Sequence, residues 1–308
     1  MIRKFQEILK TAQLKGPKTI AVAVAENLEV LLAVKNAKDL GIADAILVGN
    51  EEKIRQIAQE NQMDIDGFTI LEQNDNIEAC RTAVQLVSKG KAQVLMKGMV
   101  DTAIILKAVL DKENGLRTDK VLSHVAVADI DGYDRLFYIT DSAMNIAPDL
   151  NTKKQIIENG IKVANALGNE KPKVACVCAT EKVNPKMQVT IDAAELVKLN
   201  ETGQLTGCIV AGPLAFDNAV SLEAAKHKGI KSLVAGHADI LVMPFIEAGN
   251  ILYKSIVFFA RGKIAGIIVG AKAPIVLTSR ADSDIVKLNS IAIGILMASN
   301  NEGGCCEK

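Results

Sequence analysis

The 308-residue chain has no tryptophan, and aromatic residues make up only 3% of it. A base-stacking platform needs aromatic rings, so their scarcity argues against nucleic-acid recognition. Charge of one sign is also missing: Lys plus Arg and Asp plus Glu both number 36, and no basic stripe or acidic tail points to nucleic acid or a membrane surface. The three histidines, His124, His227 and His237, are too few and too scattered for a metal centre. None of the six cysteines has zinc-ligand spacing. Cys80 stands alone, Cys176 and Cys178 alternate on one strand, Cys208 lies in another, and Cys305-Cys306 sit on a polar tail, so they read as structural or incidental rather than as a disulfide framework. Apolar runs such as Ile291 to Ala298 fall well short of the ~20 residues that span a bilayer. The segment Met1 to Lys10 mixes charge into an amphipathic helix instead of forming a signal peptide. The expectation is a cytoplasmic protein that binds a small molecule.

What is present is ample core-forming material: 49% of the residues are hydrophobic and 23% charged. The length exceeds the ~100–200 residues usual for one domain, so two domains or one large α/β unit are expected. Short apolar runs alternate with amphipathic helices. Thr19 to Val24 reads as a strand, Asn27 to Leu40 as a helix, Ala45 to Val48 as a strand and Glu51 to Glu60 as a helix. Ile77 to Ser88 continues as a helix and Gln93 to Met96 as a strand. The loop Lys97-Gly98-Met99-Val100-Asp101-Thr102 follows, with Asp101 placed to cap the helix running to Leu110. Loops that leave the carboxyl edge of a sheet are where open α/β folds bind ligands, which makes Lys97 and Thr102 site candidates.

The alternation breaks at Val121 to Ile130 and Arg135 to Thr140, two β-type runs joined by Asp131-Gly132-Tyr133-Asp134, a hairpin signal. An antiparallel pair is therefore expected beside an otherwise parallel sheet. After Thr140 to Asp149, dense in polar groups, the alternation resumes. Helix to Leu167, strand Val174 to Cys178, helix Lys186 to Leu199, strand Cys208 to Val210, helix through Asp217 to His227 and strand Ile240 to Met243 follow. Helix Ile246 to Ala260 and strand Ala265 to Val269 complete this run. No Walker loop, no Gly-x-Gly-x-x-Gly opening the first helix and no Gly-x-Ser-x-Gly elbow is present, which argues against those modes of nucleotide binding and serine catalysis.

The stretch from Gly270 to Lys287 carries the densest chemistry. Ile275 to Leu277 is a strand-type run, Thr278-Ser279-Arg280 turn the chain, and Ile285, Leu288, Ile291 and Ile295 recur at helical spacing. The N–H groups that open such a helix, beside an arginine and two hydroxyls, suit a phosphate-sized anion. Asp282 and Asp284 lie in the same turn. Either Asp282 or Ser283 can cap the helix, and a carboxylate beside an anion site can also serve as a base.

Read together, these loops resemble one family. Lys97-Gly98, Thr140 to Leu150, Glu181 to Met187, Gly212 to Ala219, Ala248 to Ser255 and Gly270 to Ser283 are similar, in order, to the phosphate acetyl/butyryltransferases. The Asn-Ile-Ala-Pro-Asp, Gly-Pro-Leu-Ala-Phe-Asp and Thr-Ser-Arg-Ala-Asp-Ser forms resemble its butyryltransferase branch. The resemblance spans about Thr19 to Ala298 and departs from the family pattern at His237 and after Asn300. It implies a two-domain, three-layer αβα protein with mostly parallel sheets, similar to the isocitrate and isopropylmalate dehydrogenases, with its active site in the cleft between domains. Domain I would comprise residues 1–140 with 275–308, and domain II, residues 141–274, would form a homodimer or higher homo-oligomer.

The implied reaction is acyl-CoA plus phosphate giving acyl phosphate plus CoA, with a butyryl or branched acyl group, CoA and phosphate as substrates and no cofactor or metal. Asp282, Asp284, Ser279 and Arg280 would be catalytic, with Asp282 slightly ahead of Asp284 as the base that activates the CoA thiol. Thr278, Lys97, Thr102, Asp141, Asn145, Asn184, Pro213, Asn250 and Lys272 would bind substrate. Alternatives are a phosphate acetyltransferase and a non-catalytic CoA or acyl-phosphate sensor. A dehydrogenase on the same fold is disfavoured, because Asp141, Asp149, Asp217 and Asp239 are scattered over different loops instead of clustering around a metal.

Overall fold

The computed structural model describes residues 1–280 and 282–303, so the Cys305-Cys306 tail lies outside the described residues. The chain begins with α1 (Phe5–Lys15), β1 (Lys18–Ala23), α2 (Leu28–Asp39), β2 (Ala43–Gly49), α3 (Glu51–Glu60), β3 (Thr69–Glu72), α4 (Asn76–Ser88), β4 (Val94–Lys97) and α5 (Thr102–Val109). It continues through β5 (Ser123–Asp129), β6 (Phe137–Thr140), α6 (Leu150–Ala166), β7 (Lys173–Val177), α7 (Gln188–Glu201), β8 (Ile209–Leu214), α8 (Phe216–Val220), α9 (Leu222–His227), β9 (Ile240–Val242) and α10 (Ile246–Phe258). It ends with β10 (Lys263–Val269), β11 (Ile275–Val276) and α11 (Asp284–Gly303).

Two compact units result. One comprises Phe5–Lys120 and Ala265–Lys308, the other Met1–Lys4 and Val121–Ile264. These divisions differ from boundaries drawn at 140/141 and 274/275. The reason is pairing: β6 runs parallel to β9, which keeps the β5–β6 hairpin with the later strands.

In the first unit the strand order is β3-β2-β1-β4-β11-β10. All neighbours are parallel except β10, which runs antiparallel to β11. Ile20, Leu95 and Met96 are fully buried on these strands, each worth about 1.5–3 kcal/mol of hydrophobic transfer. Helix starts are set by short polar caps: Asn27 accepts from the Val30 N–H at 3.0 Å, Asn50 from Lys53 at 2.8 Å, and Asp75 from Ile77 at 2.9 Å and Glu78 at 3.0 Å. α11 packs against α1, α2 and β11, and from Lys287 to Ala298 it is buried on every face. Ile285 departs from the expected apolar stripe, since it is exposed.

In the second unit the order is β5-β6-β9-β7-β8, with only β5 antiparallel to its neighbour. β8 runs to Leu214, beyond the Val210 expected from the sequence, so Pro213 lies inside a strand. That position is tolerated because β8 is an edge strand beside a register shift between Ala175 and Val177. The single helix expected from Asp217 to His227 is two, because the Ser221 side chain accepts from the Ala224 N–H at 3.2 Å and starts a new helix. Both units are thus α/β with mostly parallel strands. Among the described residues no helix is long and apolar enough to cross a membrane.

Candidate active site

In the first unit β4 lies between β1 and β11, parallel to both, with Ala23 beside Lys97 and Val276 beside Met96. The loop after β4 and the turn after β11 therefore leave the same carboxyl edge side by side. Gly98 allows the first loop to close on β1: its N–H donates to the Ala23 carbonyl at 2.9 Å, and a Cβ there would collide with the Val24 carbonyl. Asp101 does not cap α5 with its side chain. Its carboxylate instead receives the Arg280 guanidinium at 2.6 Å, which joins the two loops. Thr102 is the half-buried first residue of α5.

The turn after β11 is tightly organised. Thr278 is buried, while Ser279 and Arg280 are exposed. Asp282 Oδ2 accepts the Ser279 N–H at 2.6 Å, and the Asp282 N–H donates back to the Ser279 carbonyl at 3.2 Å. Ser283 supplies the cap, its Oγ accepting from the Val286 N–H at 3.4 Å. That settles the capping choice: Ser283 caps α11 and Asp282 closes the turn. Asp284 is the first residue of α11, half-buried, where a negative charge is favoured by the helix N-terminus.

Two buried lysines stand behind these loops. Lys97 Nζ donates to the carbonyls of Val100 at 3.1 Å and Gly98 at 3.3 Å. Burial first, and then the positive charges of Arg280 and Lys287, push its pKa down from the ordinary lysine value. Lys287, in the first turn of α11, donates from Nζ to the carbonyls of Asp282 and Ser279. Its pKa is also lowered by burial, against the pull of Asp282, Glu29 and Asp284. The sequence pattern did not single out Lys287. The available signal was the uncharged, largely apolar stretch from Leu288 to Ala298, which marks a helix buried all round with a lysine at its border.

Lys272 does not join this group. Because β10 is antiparallel to β11, the connection holding Lys272 lies before β11, at the edge opposite the Thr278–Ser283 turn. Its side chain is exposed, and its N–H donates to the Leu116 carbonyl at 2.9 Å.

In the second unit, β6, β9, β7 and β8 all end on one edge. Asp141, just past β6, is buried, and its carboxylate accepts from the N–H groups of His124 at 3.2 Å, Ala143 at 2.8 Å, Met144 at 2.9 Å and Asn145 at 3.2 Å, and from Asn145 Nδ2 at 2.6 Å. Its oxygens thus shape the loop from within. Asn145 Nδ2 also donates to the Leu122 carbonyl at 2.9 Å. Asn250, on α10, donates to the Ser142 carbonyl at 3.4 Å, and neighbouring Gly249 sits against the Asp141 carbonyl where a Cβ would not fit. Asn184 is used locally, its Oδ1 accepting from the Lys186 N–H at 3.0 Å. Pro213 is buried. Sequence reading did not connect His124 to this loop, yet its Nδ1 lies 2.8 Å from the buried Ser142 hydroxyl. The cysteines Cys80, Cys176, Cys178 and Cys208 are buried and unbridged, and among the described residues no group of side chains has the arrangement of a metal site.

Comparisons with known proteins show the family to which the chain belongs. Residues 4–81 and 73–295 match the family described as Phosphate acetyl/butaryl transferase. A phosphate butyryltransferase from Clostridium acetobutylicum is 51% identical over 97% of this chain and 100% of its own length. The crystal structure of a branched-chain phosphotransacylase from Enterococcus faecalis V583 is 36% identical, covers 91% of this chain and 99% of that one, and superposes with a TM-score of 0.81. A 4-hydroxythreonine-4-phosphate dehydrogenase from Klebsiella pneumoniae, 13% identical with a TM-score of 0.56, shares the dehydrogenase-like α/β fold alone. With two family matches that together span nearly the whole chain, and a relative of this identity over its full length, the chain belongs to the phosphate acetyl/butyryl transferase family.

Proposed function

We propose that the protein is a cytoplasmic phosphate butyryltransferase that moves a short acyl group, butyryl or branched, reversibly between CoA and phosphate. The observation that carries the mechanistic reading is the Thr278–Ser283 turn, closed by Asp282 on the Ser279 N–H, with Arg280 in front and the start of α11 behind. An arginine and a helix N-terminus suit phosphate, the arginine by paired hydrogen bonds and the helix by its unsatisfied N–H groups.

A CoA thiol, with a pKa near the ~8.5 of cysteine, is mostly protonated at neutral pH, so a base speeds formation of the attacking thiolate. One Asp282 oxygen is already committed to the turn, whereas Asp284 opens the helix, and we assign the base to Asp284 and the shaping of the turn to Asp282. The thiolate attacks the carbonyl carbon of the acyl phosphate. The new C–S bond and the oxyanion form together, and collapse breaks the C–O bond to release phosphate. Ser279 is assigned to steady the oxyanion, a contribution of about 3–4 kcal/mol for a well-aimed donor. Arg280 exchanges Asp101 for the phosphate. This route requires no acyl-enzyme, metal or redox cofactor.

Lys97, Thr102 and Thr278 in the first unit, and Asp141, Asn145, Asn184, Pro213 and Asn250 in the second, are assigned to substrate contact or to shaping loops that make it. Lys272 is not retained. The exposed Ile251, Phe258 and Phe259 on and just after α10 support a homodimer formed through the second unit. Thiol release from acetyl-, butyryl-, isobutyryl- and isovaleryl-CoA, with and without phosphate, tests the reading. Phosphate-dependent release fastest on the four- and five-carbon substrates supports it. Fastest release from acetyl-CoA moves the assignment to a phosphate acetyltransferase, and CoA binding without any release makes the protein a sensor.

A further inference from the structure

Lys287 occupies a place where an ammonium is disfavoured twice. It is only 2% exposed, so its charge is largely removed from water, and it stands in the first turn of α11, where the helix dipole repels cations. A methionine of similar reach would fill the same space without either cost. What the ammonium adds is its pair of hydrogen bonds to the carbonyl oxygens of Ser279 and Asp282, the two ends of the turn that also carries Arg280. A trans peptide unit is planar, with its C=O and N–H pointing in opposite directions. Drawing the Ser279 and Asp282 carbonyls inward therefore turns the N–H groups of Arg280 and Ser283 the other way.

We infer that Lys287 is a positioning residue which holds the Thr278–Ser283 turn from behind and aims the peptide N–H groups of Arg280 and Ser283 at the phosphate. The inference rests on the reaction proposed above and adds a residue to it. Lys287 does not touch the substrate; it sets the direction of two backbone donors and the root of the Arg280 side chain. Asp282, Asp284 and Glu29 offset its charge, and Lys97 and Arg280 add positive charge on the same side. Phosphate, and not the acyl chain, is the ligand whose binding depends on this arrangement.

The test compares wild type with Lys287→Met and Lys287→Gln, the second of which keeps a neutral donor. Thiol release is measured while inorganic phosphate and acyl-CoA are varied separately, together with the shift in Tm that inorganic phosphate produces. The expected result is that kcat/KM for phosphate falls about tenfold or more in Lys287→Met, less in Lys287→Gln, while KM for acyl-CoA stays within about twofold. The phosphate-induced Tm shift shrinks in parallel. Combining Lys287→Met with Arg280→Ala should give a loss smaller than the product of the two single losses, since both act through one turn. Equal losses toward both substrates, an unchanged phosphate response, or failure of both variants to fold would each overturn the inference, the last because it makes Lys287 a folding residue. A wild type that shows no phosphate-dependent release overturns the proposed reaction itself, which keeps the two failures distinguishable.

Discussion

The Arg280 guanidinium lies 2.6 Å from the Asp101 carboxylate, an ion pair between residues 179 positions apart in the chain. Both partners are well exposed, Arg280 at 50% and Asp101 at 71%, so the pair contributes little to stability. In the proposed reaction its importance is competitive, because a guanidinium engaged by Asp101 must leave it to grip a phosphate. Asp101→Asn is expected to lower KM for phosphate by about 1.5- to 5-fold, the size of an exposed ion pair, with kcat little changed. Initial rates at varied phosphate provide the check. A rise in KM would mean that Asp101 presents Arg280 instead of withholding it.

The two aspartates of the turn should separate kinetically. Asp284→Asn removes the assigned base and is expected to lower kcat by about 10²- to 10⁴-fold while leaving KM for both substrates nearly unchanged. Asp282→Asn turns a charged acceptor on the Ser279 N–H into a neutral one, and loosening the turn should raise KM for phosphate as well as lower kcat. If Asp282→Asn shows the pure kcat loss and Asp284→Asn does not, the two roles are exchanged. Neither variant slowing turnover would discard carboxylate catalysis here.

Asp141 should behave as a structural group. Replacing it with Ala deprives five hydrogen bonds of their acceptor in one part-buried loop. An unfolding loss of about 3 kcal/mol or more is expected, given ~1–3 kcal/mol for each buried donor left unpaired and partial relief by water. Chemical denaturation of Asp141→Ala against wild type measures it. A loss of activity with unchanged stability would instead place the carboxylate on the substrate.

Lys97 gives the protein a signature in alkaline solution. Burial, then Arg280 and Lys287, lower its pKa in the folded state from the ordinary 10.5. In the window between that lowered value and 10.5 the unfolded chain binds the extra proton, so stability gained through this group rises with pH. Below the folded pKa the cost of burying the ammonium is fully present. The stability of wild type relative to Lys97→Met is therefore expected to increase as pH approaches 10.5, whatever its offset at neutrality. Paired melting curves across that range read the slope, and a flat difference would contradict it.

The sequence displays those features whose causes are local. The helix Glu51–Glu60 is legible from its apolar spacing and from the Asn50 that caps it. The hairpin of β5 and β6 follows from Asp131-Gly132 between two apolar runs. β3 was invisible because Thr69–Glu72 has neither a buried run nor a clean alternation. The direction of β10 was invisible too, since a five-residue connection between two apolar strands does not reveal which edge each one leaves from. That is why Lys272 lies at the edge opposite the turn that holds Ser279 and Arg280. The tie between Asp101 and Arg280 depends on β4 and β11 being neighbours, a property of topology that neither stretch carries by itself.

The order of synthesis acquires meaning from α11. Residues Phe5 to Lys120 are made before Val121 to Ile264, and the helix that covers α1, α2 and β11 is made after both. At ~5–20 residues per second the early segment waits roughly 10–40 s, with apolar surface uncovered, for its closing piece. Val121 to Ile264, by contrast, emerges as one continuous length with its strands already in hand. The unit that holds Phe5 to Lys120 is thus completed only after Val121 to Ile264 has been made, and chaperone dependence during translation should concentrate on its early half.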